Sequence, residues 1–97
     1  MIKVGTIFKI KTKTLEDTFG ECVYEIVETN IPSKNPEDKS DLVKSVMLGG
    51  SGVSARSGMT FFDTEDDLRR WFEDGSAQVI PSEKKNEIIE YYASLEK

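Results

Sequence analysis

Between Ile2 and Lys13 apolar and basic residues alternate, with Ile2, Val4, Phe8 and Ile10 on one parity and Lys3, Lys9, Lys11 and Lys13 on the other. A period of two predicts a half-buried strand. A second run, from Glu21 to Thr29, sets Cys22, Tyr24 and Ile26 against Glu21, Val23 and Glu25. The polar segment from Thr14 to Gly20 between them predicts a hairpin. Centred on Asp17, it would place Phe8 opposite Ile26 and Ile10 opposite Tyr24. Lys9 would then meet Glu25 and Lys13 would meet Glu21, so the lysine row is expected to form a salt-paired solvent face.

The next segment, Asn30 to Asp41, carries Pro32 and Pro36 and shows no apolar period. It is expected to be an exposed, mobile loop. Leu42 to Leu48 predicts a third strand and Met59 to Phe62 a fourth, separated by the Gly/Ser-rich loop 49–58. Beyond Phe62 the period changes. Asp63 or Thr64 can cap a helix that buries Leu68, Trp71 and Phe72, and Gly75 offers a left-handed stop. Ala77 to Ile80 is short enough for a strand. Pro81 and Ser82 restart the chain, with Ser82 as the cap of a second amphipathic helix carrying Ile88, Ile89, Tyr92 and Leu95.

Strands first and helices last imply an α+β fold: a small, strongly curled or barrel-like antiparallel sheet of four to five strands, with two helices in the C-terminal half. Ninety-seven residues suit a single domain, 1–97. Neither helix is long enough to be stable alone, so each must lay its apolar stripe on the sheet.

Charge adds an asymmetry. Residues 1–62 hold eight acids and eight bases, whereas residues 63–97 hold ten acids and five bases. The whole net charge of −5 therefore belongs to the C-terminal third. A field of that sign repels phosphate and anionic lipid, so the expected partner is another protein, with direct nucleic-acid binding and membrane association disfavoured. No apolar run suggests a leader or a membrane span, and a cytoplasmic location is expected.

Composition also removes chemistry. With no histidine and one cysteine, Cys22, no disulfide within the chain, common zinc set or Ser-His-acid relay can be built. No metal or cofactor is expected, and an enzyme is the less favoured class. Cys22 falls on the inward parity of the second strand, where a thiol acts as a small hydrophobe.

Two places can carry binding. In the loop 49–58 successive glycines let backbone amides converge on an anion, and an arginine can clamp it. Gly49, Gly50, Ser51, Gly52, Ser54, Arg56 and Ser57 are thus candidates for a small anionic ligand or nucleotide. The G-x-G-x-x-A spelling there lacks the helix that a dinucleotide fingerprint requires. The second place is the acidic helix start and its continuation: Asp63, Glu65, Asp66, Asp67, Arg70, Trp71, Glu73 and Asp74. Carboxylates there are favoured by the helix dipole without any ligand. Exposed among neighbouring aromatics, they also suit a protein-binding module or inhibitor, one form being an acidic mimic of nucleic acid. Phe61–Phe62, Trp71–Phe72 and Tyr91–Tyr92 come in adjacent couples, which cannot share one narrow face, so some of these rings should be exposed.

Overall fold

The computed structural model describes residues 2–10, 22–50 and 58–95. Among these, five strands form one antiparallel sheet: β1 (Ile7–Ile10), β2 (Cys22–Ile31), β3 (Leu42–Gly50), β4 (Thr60–Thr64) and β5 (Ala77–Ile80). Helix α1 (Glu65–Asp74) lies between β4 and β5, and a 3-10 turn (Ser82–Lys84) leads into helix α2 (Lys85–Leu95). The spatial order is β4-β3-β2-β1-β5, so the strand made last returns beside the strand made first.

Alternation along the strands produces two apolar faces, and each helix covers one. Phe8, Ile10, Cys22, Tyr24, Ile26, Val43, Met47 and Ala77 form the first cluster with Leu68 of α1, and Trp71 and Phe72 pack against it. Phe8 is its centre: its ring stacks on Tyr24 at 5.5 Å between centroids and meets Phe72 edge-on at 5.5 Å. On the opposite face Ile7, Val23 and Leu48 are sealed by Tyr92 of α2, with Val46, Ile80 and Ile88 around them. Lys85 at the start of α2 is anchored by a 2.9 Å ion pair to Glu25 on β2.

Gly49 makes this second contact possible. Its bare Cα lies under Tyr92, where a Cβ would fall 2.5 Å from the tyrosine Cβ. Close approach, not unusual backbone geometry, is what requires glycine here.

The helix boundaries follow from local chemistry. Thr64 caps α1 by accepting from the Asp67 amide at 3.2 Å, and Gly75 closes it in the left-handed region at φ 85°. Two further amides of the first turn are bonded from a distance: Glu65 N–H to the Asp41 carbonyl at 2.9 Å and Asp66 N–H to Ser40 Oγ at 3.1 Å. Segment 32–41 thereby docks on the helix start. Ser33 Oγ donates to Asp38, while Asn35 Oδ1 accepts from the Glu37 amide at 3.0 Å.

Several expectations need correction. Among the described residues the sheet is open, with β4 and β5 as its edges and a helix over each face. The hairpin register is displaced: Phe8 pairs with Tyr24 and Ile10 with Cys22. Parity is unchanged, so the buried face is the expected one. Lys9 pairs with Val23, not Glu25, and its face is covered by α2 because Ile7 and Val23 share it. Lys11, Lys13, Glu21 and the turn Thr14 to Gly20 lie outside the described residues. Asn30 and Ile31 belong to β2, β3 runs on through Gly49 and Gly50, and β4 is Thr60–Thr64. Ser82 opens the 3-10 turn without a side-chain cap, because the Lys84 amide bonds to the Pro81 carbonyl instead.

One buried group is left unsatisfied. Ser45, 2% exposed between Ile26 and Phe61, has no hydrogen-bond partner for its hydroxyl. A buried hydroxyl without a partner opposes folding. Ser45→Ala is expected to leave stability unchanged or raise it by up to about 1 kcal/mol. Urea midpoints check this, and a loss of about 1 kcal/mol or more would show that the hydroxyl is bonded after all.

Candidate functional site

The two candidate regions fare differently. Gly49 and Gly50 do not belong to a loop: they extend β3, Gly49 pairing with Val23 and Gly50 with Cys22. The glycine run thus begins as strand, with Gly49 lying under Tyr92. Ser51, Gly52, Ser54, Arg56 and Ser57 lie outside the described residues.

The acidic candidates converge on α1 and the strand leading into it. Leu68, Trp71 and Phe72 make the inner stripe that fixes the helix to the sheet. Trp71 is therefore a half-buried packing residue, not a displayed contact. Asp66, Arg69, Arg70, Glu73 and Asp74 are exposed around the outer surface. Both arginines are engaged along the helix: Arg69 with Glu65 at 2.6 Å and Asp66 at 3.8 Å, and Arg70 with Asp67. Such exposed pairs add only about 0–1 kcal/mol each. Their larger consequence is geometric, since the guanidinium groups lie along the helix and Glu73 and Asp74 remain at its far end. The Ser76 side chain, and then the Ser76 amide that donates to Asp74 at 2.8 Å, hold the Asp74 carboxyl below its ordinary value. Beside the helix a surface cleft of about 440 Å³ is lined by Ile2, Glu65, Arg69, Phe72 and Glu73.

Asp63 differs from the rest. It pairs with Val43 at the end of β4 and is half-buried. Burial, and then the negative charge of Asp67, raise its carboxyl above the usual value. The folded chain thus holds this proton more tightly than the unfolded chain. The resulting penalty is absent below the unfolded carboxyl pKa, grows as pH rises toward the raised folded value, and is fully present above it. Asp63→Asn is expected to raise stability at neutral pH and to remove that part of the acid-range slope. Urea midpoints over a pH series check this; a wild-type slope in the variant would contradict it.

A buried titratable pair, Cys22 and Tyr24, lies beneath α1. Burial, opposed by a hydrogen bond from Tyr24, raises the Cys22 thiol, and burial is also the main cause that raises the Tyr24 hydroxyl. A thiol kept protonated and out of solvent is a poor nucleophile. Among the described residues no group of three or more acids and cysteines is placed to hold a metal ion, and no helix is long and apolar enough to cross a membrane.

Two of the three aromatic couples divide between a packed and an exposed ring. Phe61 meets Tyr24 edge-on at 5.3 Å, whereas Phe62 is 55% exposed on the opposite face. Tyr92 is buried and Tyr91 is 59% exposed. Trp71 and Phe72 both pack on the first cluster, because they follow Leu68 by three and four positions and so share its helix stripe. Ser40 and Asp41, which bond the amides opening α1, carry no local signal in the sequence. Their role depends on a contact 24 to 26 positions along the chain.

No family model, curated protein or solved structure matches this chain.

Proposed function

We propose that this protein is a non-enzymatic binding module or inhibitor that engages a basic surface on another protein through the outward side of α1. One form of that activity is an acidic mimic of nucleic acid, occupying a nucleic-acid-binding groove of its partner. The observation that supports the reading is the way α1 is held. Its apolar stripe and its first-turn amides are satisfied by the protein's own groups. Six acids and two arginines lie between Asp63 and Asp74, and both arginines are already engaged along the helix. The excess negative charge is therefore presented on a rigid element, which lowers the ordering cost of recognition.

Charge-led recognition of this kind should be steep in salt, since the screening length falls from about 30 Å at 0.01 M to about 8 Å at 0.15 M. The immobilised protein is expected to retain a basic protein from its native lysate at low ionic strength and to release it as salt rises. Retention of nothing at low salt, or of partners that salt does not release, would oppose the proposal.

A further inference from the structure

The edge strand β4 offers a second, directional feature next to the acidic helix. Two backbone bonds fix which of its groups face inward: Met47 N–H to the Met59 carbonyl at 2.7 Å, and Glu65 N–H to the Asp41 carbonyl at 2.9 Å. Both involve odd-numbered residues of this edge. By the alternation of an antiparallel ladder, Phe61 and Asp63 exchange bonds with Ser45 and Val43. The N–H and C=O groups of Thr60 and Phe62 consequently point away from the sheet.

The side chains beside those groups differ between the two faces. On one, Phe62 is 55% exposed and its ring is flanked by Lys44, whose Nζ lies 5.9 Å from the centroid. On the other, Asp63 stands beside Val43, with Asp67 close enough to raise its carboxyl further. A strand added at this edge would therefore set alternate residues against an aromatic ring and against carboxylates.

From this juxtaposition we propose that β4 accepts an extended segment of the partner as a sixth strand, with apolar residues facing Phe62 and lysine or arginine facing Asp63. The assignment rests on the acidic-face reading for the sign of the partner's charge, and on the ladder alternation for its backbone conformation. Strand addition obtains affinity from main-chain bonds and selectivity from alternate side chains. A second copy of this chain is the weaker occupant. Pairing β4 with itself would bring together two molecules of net charge −5, each with Asp63 and the acids that open α1 beside this edge.

The test uses the full chain and a short capped peptide of alternating valine and lysine, followed by amide hydrogen exchange and chemical shifts. A matched peptide, N-methylated on one set of alternating amides, keeps the charge but cannot pair as a strand along that edge; both methylation registers are made. Binding of the unmodified peptide should slow exchange at Thr60 and Phe62 by about tenfold or more, and one methylated register should lose that protection. Equal, salt-sensitive binding of all the peptides without protection overturns strand addition while leaving the acidic-face reading intact. Protection that survives Asp63→Asn combined with Asp67→Asn keeps the edge and overturns the assignment of lysine or arginine to that face. Protection that grows with protein concentration before any peptide is added assigns the edge to a second copy and overturns the proposal.

Discussion

Gly49→Val is expected to unfold or detach α2. An ideal Cβ at position 49 would lie 2.5 Å from the Tyr92 Cβ and 2.6 Å from its Cγ and Cδ2. The first of these atoms sits on the helix itself, so a change of the tyrosine rotamer cannot relieve the clash, and the helix backbone must move. Moving it uncovers Val23, Leu48 and Ile7, which α2 now shields. Overpacking a tight contact costs about 1–3 kcal/mol, and exposing the apolar face adds to that. A loss of about 3 kcal/mol or more, with less helical signal in circular dichroism, is the expected outcome. Tyr92→Ala should not rescue the variant, since alanine retains the Cβ. A Gly49→Val protein within about 0.5 kcal/mol of wild type would mean that α2 does not rest on β3.

Phe8→Ala should be as damaging on the other face. Phe8 is 1% exposed, at the centre of the first cluster, with Tyr24 stacked on it and Phe72 meeting its edge. Deleting a buried phenylalanine side chain costs about 3–5 kcal/mol, from lost transfer energy and the cavity left behind. Proteins as a class are stable by about 5–15 kcal/mol, so the expected loss is a large fraction of the total. Because Phe72 would lose its partner, Phe8→Ala and Phe72→Ala together should cost less than the sum of the two. Urea denaturation of the single and double variants measures both quantities. Full additivity would place the rings in independent environments.

These two residues also mark what sequence pattern could and could not reveal. Phe8 was legible: its parity with Ile10, and that of Tyr24 with Ile26, survives the displaced register because a shift of two positions keeps every side chain on its face. The cap at Thr64, the stop at Gly75 and the strand Ala77–Ile80 were legible for a similar reason, since each depends on neighbours only a few positions away. Gly49 was not. Its glycine-rich surroundings suggest a loop, and only the arrival of Tyr92 from the last helix explains why a strand there must lack a side chain. The lysine face departs from its expected character through the same kind of long-range contact. Lys9 and Glu25 gave it a solvent-facing character, whereas Ile7 and Val23 on the same parity are what α2 covers. The candidate site was half legible. Composition located the acidic helix, and the engagement of both arginines follows from their spacing of three and four positions from Asp67 and Glu65, but the outward edge of β4 follows from pairing that no local pattern encodes.

The proposed interaction assigns the partner to the outward side of α1 and not to negative charge in general. Removing three charges from that side with Asp66→Asn, Glu73→Gln and Asp74→Asn can be set against removing three from the α2 region with Glu83→Gln, Glu87→Gln and Glu90→Gln. The six positions are exposed in the structure, and the two triple variants carry the same net charge. Salt-resolved retention of lysate proteins by the two variants is the most direct measurement. The α1 variant should lose the partner that wild type retains, while the α2 variant keeps it. Equal loss by both would reduce the interaction to bulk charge and remove α1 as the binding element.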